Sequence, residues 1–217
     1  MTATEPFRFQ TASYLVRIGN LECLSLVELQ KGIEDSGDDS IFYHTFQSLG
    51  RHHYITEGFS NDFAQWVLAS CNRPVVAEQL ASLDIRDYVS IAELRTDLSR
   101  ILNDFCQANP REALQSAFEP FYFSETIEEI VPLGNEARTL EEFRDGIRAL
   151  SHASMQFHFI TSRLRLHLRT NDFSYWLVKE LGLKELARRI DLIDVYTNTL
   201  DGARNKILQL IGTELRQ

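Results

Sequence analysis

Glu5-Pro6-Phe7-Arg8-Phe9 returns as Glu119-Pro120-Phe121-Tyr122-Phe123, and this recurrence decides the architecture. The same shift of 114 lays Leu26, Glu28, Gly32, Ile33, Ser40, His44, Ser48, Arg51 and His53 over Leu140, Glu142, Gly146, Ile147, Ser154, His158, Ser162, Arg165 and His167. Further on, a shift of 110 aligns Asn61-Asp62-Phe63 and Trp66 with Asn171-Asp172-Phe173 and Trp176. Roughly a quarter of the aligned positions are identical, against about one in sixteen expected from composition alone. The chain is therefore an internal duplication. Its period is too long for a solenoid, whose repeats run to about 20 to 50 residues.

Each copy reads as the same series of elements. Phe7 and Phe9, like Phe121 and Phe123, alternate with polar neighbours after a proline, which predicts a short extended piece with both rings on one face. Ser25 with Glu28, and Thr139 with Glu142, have the spacing of capping boxes, where the hydroxyl accepts the third helical amide and the glutamate reaches back. Helices then follow with apolar stripes Leu26, Leu29, Ile33 and Leu140, Phe143, Ile147. The next pair runs through SIFYHTFQSLGRHH (40–53) and SMQFHFITSRLRLH (154–167). A third pair opens at Ser60-Asn61-Asp62 and Thr170-Asn171-Asp172, with Ser60 read as the cap. Here Phe63, Trp66, Val67 and Phe173, Trp176, Leu177 fall at core-facing spacing. A fourth, short helix and a last, long one complete each copy. Helical periodicity dominates, so the expected fold is all-α: a single compact helical body of two pseudo-symmetric, internally duplicated halves. The halves are expected at residues 1–110 and 111–217, packed as one domain, with the two Glu-Pro-Phe-x-Phe segments pairing at most as a minimal strand.

Composition narrows the function classes. The 217 residues carry 22 Lys and Arg against 31 Asp and Glu, a formal charge of −9, with no basic cluster. Phosphate backbones are repelled by such a surface, so nucleic acid is not an expected partner. No run reaches the ~20 apolar residues that cross a bilayer, and MTATEPFRFQ has no apolar stretch of a secretion signal, so a cytoplasmic protein without a membrane partner is expected. Cys23, Cys71 and Cys106 are odd in number and lack zinc-type spacing, which predicts reduced, partly buried thiols.

The sharpest chemistry-bearing set is His44 and His158 with Asp62 and Asp172. Imidazole beside a carboxylate suits a metal ligand or a general base, because the acid fixes the tautomer and the ring exchanges a proton near neutrality. The same four residues suit a structural role equally: an acid in a first helical turn is stabilising by itself, and a histidine can be a buried hydrogen-bonded strut. His44 and His53 lie nine residues apart, so a helix points them to opposite sides and they cannot share an ion. His52 and His152 have no counterparts and are expected at the surface. Arg51 and Arg165 are read as anion binders or as partners of carbonyls and acids. Trp66 and Trp176 are read as core. No phosphate loop, nucleophile elbow or metal-binding helix motif is present.

The stretches LVELQKGI (26–33), SIFYHTFQ (40–47), NDFAQW (61–66), VAEQLASLDI (76–85) and IAELR (91–95) resemble an uncharacterised bacterial family, one of the domains of unknown function. The resemblance implies a soluble helical protein and no particular activity. Two functions fit these features. One is a soluble cytoplasmic interaction or regulatory protein without its own catalysis, acting through a protein partner or as a homo-oligomer. The other is a metal-binding or metal-dependent helical enzyme using His44, His158, Asp62 and Asp172 at the interface of the repeats.

Overall fold

The computed structural model describes residues 2–48 and 59–216. It overturns the all-α helical bundle: the chain is a mixed α/β fold, with a two-stranded antiparallel sheet beside its helices. Strand β1 is Phe7–Cys23 and strand β2 is Phe121–Ala137, each 17 residues long. Alternation marks only the first residues of each and hides their length. After the first few residues the side chains of β2 are exposed on both faces, from Ile127 to Glu136, so no buried face imprints an alternation on the sequence. The β-branched residues Thr126, Ile127, Ile130 and Val131 still favour the extended chain. Arg8 meets Glu136 and Arg17 meets Glu125. In that register each Glu-Pro-Phe-x-Phe segment begins opposite the far end of the other strand, so the two segments do not pair with each other.

The helices follow their local signals. In the first copy they are α1 Leu26–Asp35, α2 Asp38–Phe42, α3 Asp62–Ala69, α4 Pro74–Ala81, α5 Ile91–Ala108 and the short α6 Pro110–Ala113. In the second they are α7 Leu140–Ala149, α8 His152–Met155, α9 Ser162–Leu166, α10 Asp172–Leu181, α11 Lys184–Asp191 and α12 Leu200–Glu214. The capping box at Thr139 and Glu142 is complete. At Ser25 the hydroxyl accepts the Glu28 amide, while the Glu28 carboxylate reaches one residue further back, to the amide of Leu24. The caps of α3 and α10 are Asn61 and Asn171, not Ser60 and Thr170. An asparagine serves better there because its Oδ1 accepts the Ala64 or Ser174 amide, leaving Nδ2 to bond the Leu80 carbonyl or the Asp191 carboxylate.

The chain divides into two compact units, Tyr14–Ile127 and Met1–Ser13 with Glu128–Gln217. Each unit thus joins the helices of one repeat to the Phe-x-Phe strand of the other. In the unit Tyr14–Ile127, Phe121 packs against Phe63 (5.3 Å between ring centres) and Trp66 (5.7 Å). A Cβ on Gly32 would lie 2.5 Å from the Phe123 ring, so only glycine lets α1 approach that closely. In the other unit Phe7 packs against Phe143 (5.0 Å) and Phe173 (5.6 Å), and Gly146 faces the Phe9 ring as Gly32 faces Phe123.

A chain ending at residue 110 would keep α1 to α5 and lose Phe121 and Phe123, which are 6% and 2% exposed. Such a fragment is expected to lack a cooperative denaturation transition and to bind a hydrophobic dye, as loosely packed states do. A single sharp transition with dispersed amide resonances would sink that expectation.

Candidate functional site

His44 and His158 sit in π-helical turns, Tyr43–Gln47 and Gln156–Thr161. A wider turn of this kind is often found at functional positions, and no residue type in either stretch announces it. Ser48 and Ser162 side chains donate back to the carbonyls of His44 and His158, absorbing an acceptor that the altered helix geometry releases.

Each of the two histidines meets one of the two aspartates, and each contact lies within one unit. His44 Nδ1 lies 2.9 Å from Asp62 Oδ2, and His158 Nδ1 lies 2.7 Å from Asp172 Oδ2. Asp62 and Asp172 are the first residues of α3 and α10, where the helix dipole favours their charge. The second nitrogen is engaged too. His44 Nε2 accepts the Ser124 amide at 2.9 Å, and His158 Nε2 accepts the Gln10 amide at 2.9 Å. Accepting at Nε2 leaves the ring proton on Nδ1, aimed at the carboxylate. Both imidazoles are buried, 4% and 2% exposed, among phenylalanine rings.

Around the second pair, Arg165 donates to Asp172 Oδ2 at 2.5 Å and stacks 3.7 Å from the centre of the Phe157 ring. It serves as a partner of an acid and of a carbonyl, the Phe157 oxygen at 3.3 Å. Its counterpart Arg51, with His52 and His53, lies outside the described residues. His152 is partly exposed and meets Asp201 at 2.9 Å. His167 ends α9 in the left-handed region (φ 52°) and is exposed.

A feature that the pairwise reading missed belongs to the second copy alone. Asp191 accepts bonds from Thr170 Oγ1 and Asn171 Nδ2, and burial raises its carboxyl above the usual range. Ala81 stands at the matching position in the first copy, so a comparison of the repeats could have found it. Burial likewise pushes the Cys23 and Cys71 thiols up to about 11, and Cys106 upward, which leaves little nucleophilic thiolate at neutral pH.

Among the described residues no group of three or more His, Cys, Asp and Glu side chains is placed to hold a metal ion. No helix there is long and apolar enough to cross a membrane. A model of a family of unknown function, DUF5752, matches residues 4–212. The solved structure of OrfY from Thermoproteus tenax superposes with a TM-score of 0.85 at 28% sequence identity, over 98% of this chain and 97% of that one. No curated protein matches the sequence.

Proposed function

This chain belongs to DUF5752, a family of unknown function, and we propose that it acts in the cytoplasm as an interaction or regulatory protein without catalysis of its own. The observation that carries the reading is the outer strand of each unit. In Tyr14–Cys23, Leu15 is 68% exposed and Ile18 73%, with Val16 and Leu21 also exposed. Successive strand residues point to opposite faces, so Leu15 and Ile18 leave apolar surface on both sides. Among the described residues the sheet has two strands, and no third strand there lies beside this one. In the other unit the outer segment of β2 repeats the pattern with Ile130, Val131 and Leu133 exposed. Edge strands carrying apolar side chains are positions where proteins add a strand or a partner surface. The partner is a protein or a second copy, because a net charge of −9 disfavours nucleic acid.

In this reading His44, Asp62, His158 and Asp172 are pins that fasten an inner strand to helices. The metal-enzyme alternative needs a free ring lone pair, whereas in both imidazoles Nε2 accepts a backbone amide and Nδ1 faces a carboxylate.

A photo-crosslinking residue placed at position 18 or 130 of the full chain, irradiated in living cells, tests the reading. Discrete adducts are expected from both positions and not from Glu78, an exposed helical residue. Identical labelling at all three positions, or none at 18 and 130, would remove the support for an interaction surface on the outer strand.

A further inference from the structure

The two Glu-Pro-Phe-x-Phe segments are held by the same contacts, although each is held by the helices of the other repeat. Trp66 Nε1 donates to the Glu119 carbonyl at 2.8 Å, and Trp176 Nε1 donates to the Glu5 carbonyl at 2.9 Å. The first phenylalanine enters a pocket of Phe, Trp and His rings. Phe121 lies 4.7 Å from His44 and 5.3 Å from Phe63; Phe7 lies 5.0 Å from His158 and 5.6 Å from Phe173. The second phenylalanine covers a glycine, Gly32 or Gly146, where a Cβ would collide with the ring. Three residues beyond the first phenylalanine, the amide of Ser124 or Gln10 meets the histidine Nε2.

Every one of these contacts is to a backbone atom of the segment or to a phenylalanine ring. The residue between the two rings, Tyr122 or Arg8, points away and is exposed. The receptor thus reads main chain and two phenylalanines, the parts that the segments share, and ignores the parts in which they differ. A receptor of this kind cannot tell a segment of its own chain from that of another molecule.

We propose that the Glu-Pro-Phe-x-Phe segment is an exchangeable strand, and that a second copy of this chain can supply it. Residues 5–13 of one molecule enter the helices of residues 140–191 in the other, and the reverse, giving a strand-exchanged dimer. The exchange that the chain already makes between its repeats is then repeated between molecules, with every contact above conserved. Exchange of identical elements is a low-cost route to a dimer because the closed and exchanged states contain the same contacts. Within one chain the segment is favoured by its effective concentration, in the millimolar range for short connections, so the dimer forms on concentrated refolding.

Two full-length variants test it by complementation. Phe7→Ala with Phe9→Ala disables the segment, and Gly146→Leu disables the receptor of the same unit. Each variant alone is expected to be a monomer with a lowered melting temperature. Refolded together at high concentration, they are expected to give a heterodimer in which one intact segment occupies one intact receptor, and the unit that joins these intact parts is expected to melt above either variant alone. A labelled peptide of residues 119–127, EPFYFSETI, is expected to bind the Phe7→Ala/Phe9→Ala variant, and at least tenfold more weakly when both its phenylalanines are alanine. A mixture that stays monomeric at every concentration overturns the proposal. Peptide binding without heterodimer also overturns it, because the receptor would then take a segment from another protein instead of a copy. If a variant does not fold, a third chain decides, in which residues 7–13 and 121–127 exchange sequences. Its melting temperature is expected within about 5 °C of the wild type, and loss of the fold refutes interchangeability.

Discussion

Trp66→Ala is expected to lower the unfolding free energy by about 3–5 kcal/mol, as truncation of a large buried aromatic does. The indole is 8% exposed and lies 5.7 Å from the Phe121 ring. Its N–H also donates to the Glu119 carbonyl at 2.8 Å, so the alanine leaves both a cavity and an acceptor without its donor. Trp66→Phe separates the two effects. It keeps most of the ring and loses the donor, and should cost about 0.5–1.5 kcal/mol. Urea denaturation followed by circular dichroism measures both variants. An alanine variant with the wild-type midpoint would mean that the ring is not part of the core.

His158→Ala is expected to cost about 2–4 kcal/mol, with metal content unchanged. The imidazole is 2% exposed and bonded at both nitrogens, to Asp172 Oδ2 at 2.7 Å and the Gln10 amide at 2.9 Å. Removing it deprives a backbone donor of its acceptor, each such loss being worth about 1–3 kcal/mol, and opens space among the Phe7 and Phe173 rings. Asp172 suffers less because Arg165 still donates to it. His158→Asn should recover part of the loss, since its amide N–H can reach toward the carboxylate. A ligand on a preformed scaffold behaves in the opposite way: its removal costs the ion and little stability. Stoichiometric metal in the wild type, lost in His158→Ala at unchanged stability, would replace the pin by a metal site.

The parts of the fold that were legible in the sequence are those made by neighbours in the chain. Ser25 with Glu28 and Thr139 with Glu142 act across three residues, so the starts of α1 and α7 could be read directly. The stripes Phe63, Trp66 and Phe173, Trp176 recur at helical spacing, and all four residues are buried. The joint recurrence of His44, Asp62, His158 and Asp172 in both copies marks these four residues, though not which acid each ring meets. Repetition also marked Gly32 and Gly146, though not the phenylalanine ring that each one faces.

The remainder was set by contacts between distant parts of the chain. The full length of β1 and β2 is not legible beyond their Phe-x-Phe starts, because outer segments such as Leu15 to Leu21 have no buried face to impose a two-residue period. The π turns at His44 and His158 left no compositional trace. The backbone amides that donate to the two histidines, 80 and 148 residues away in the chain, set their chemistry by occupying the Nε2 lone pair. Local signals in the chain dictate that there are two copies, where α1 and α7 begin and which helical faces are buried. They cannot determine which copy's Phe-x-Phe strand fills which set of helices, because both strands carry the same recognised atoms. Only tertiary packing, which places Phe121 on the first repeat's helices and Phe7 on the second's, made that choice.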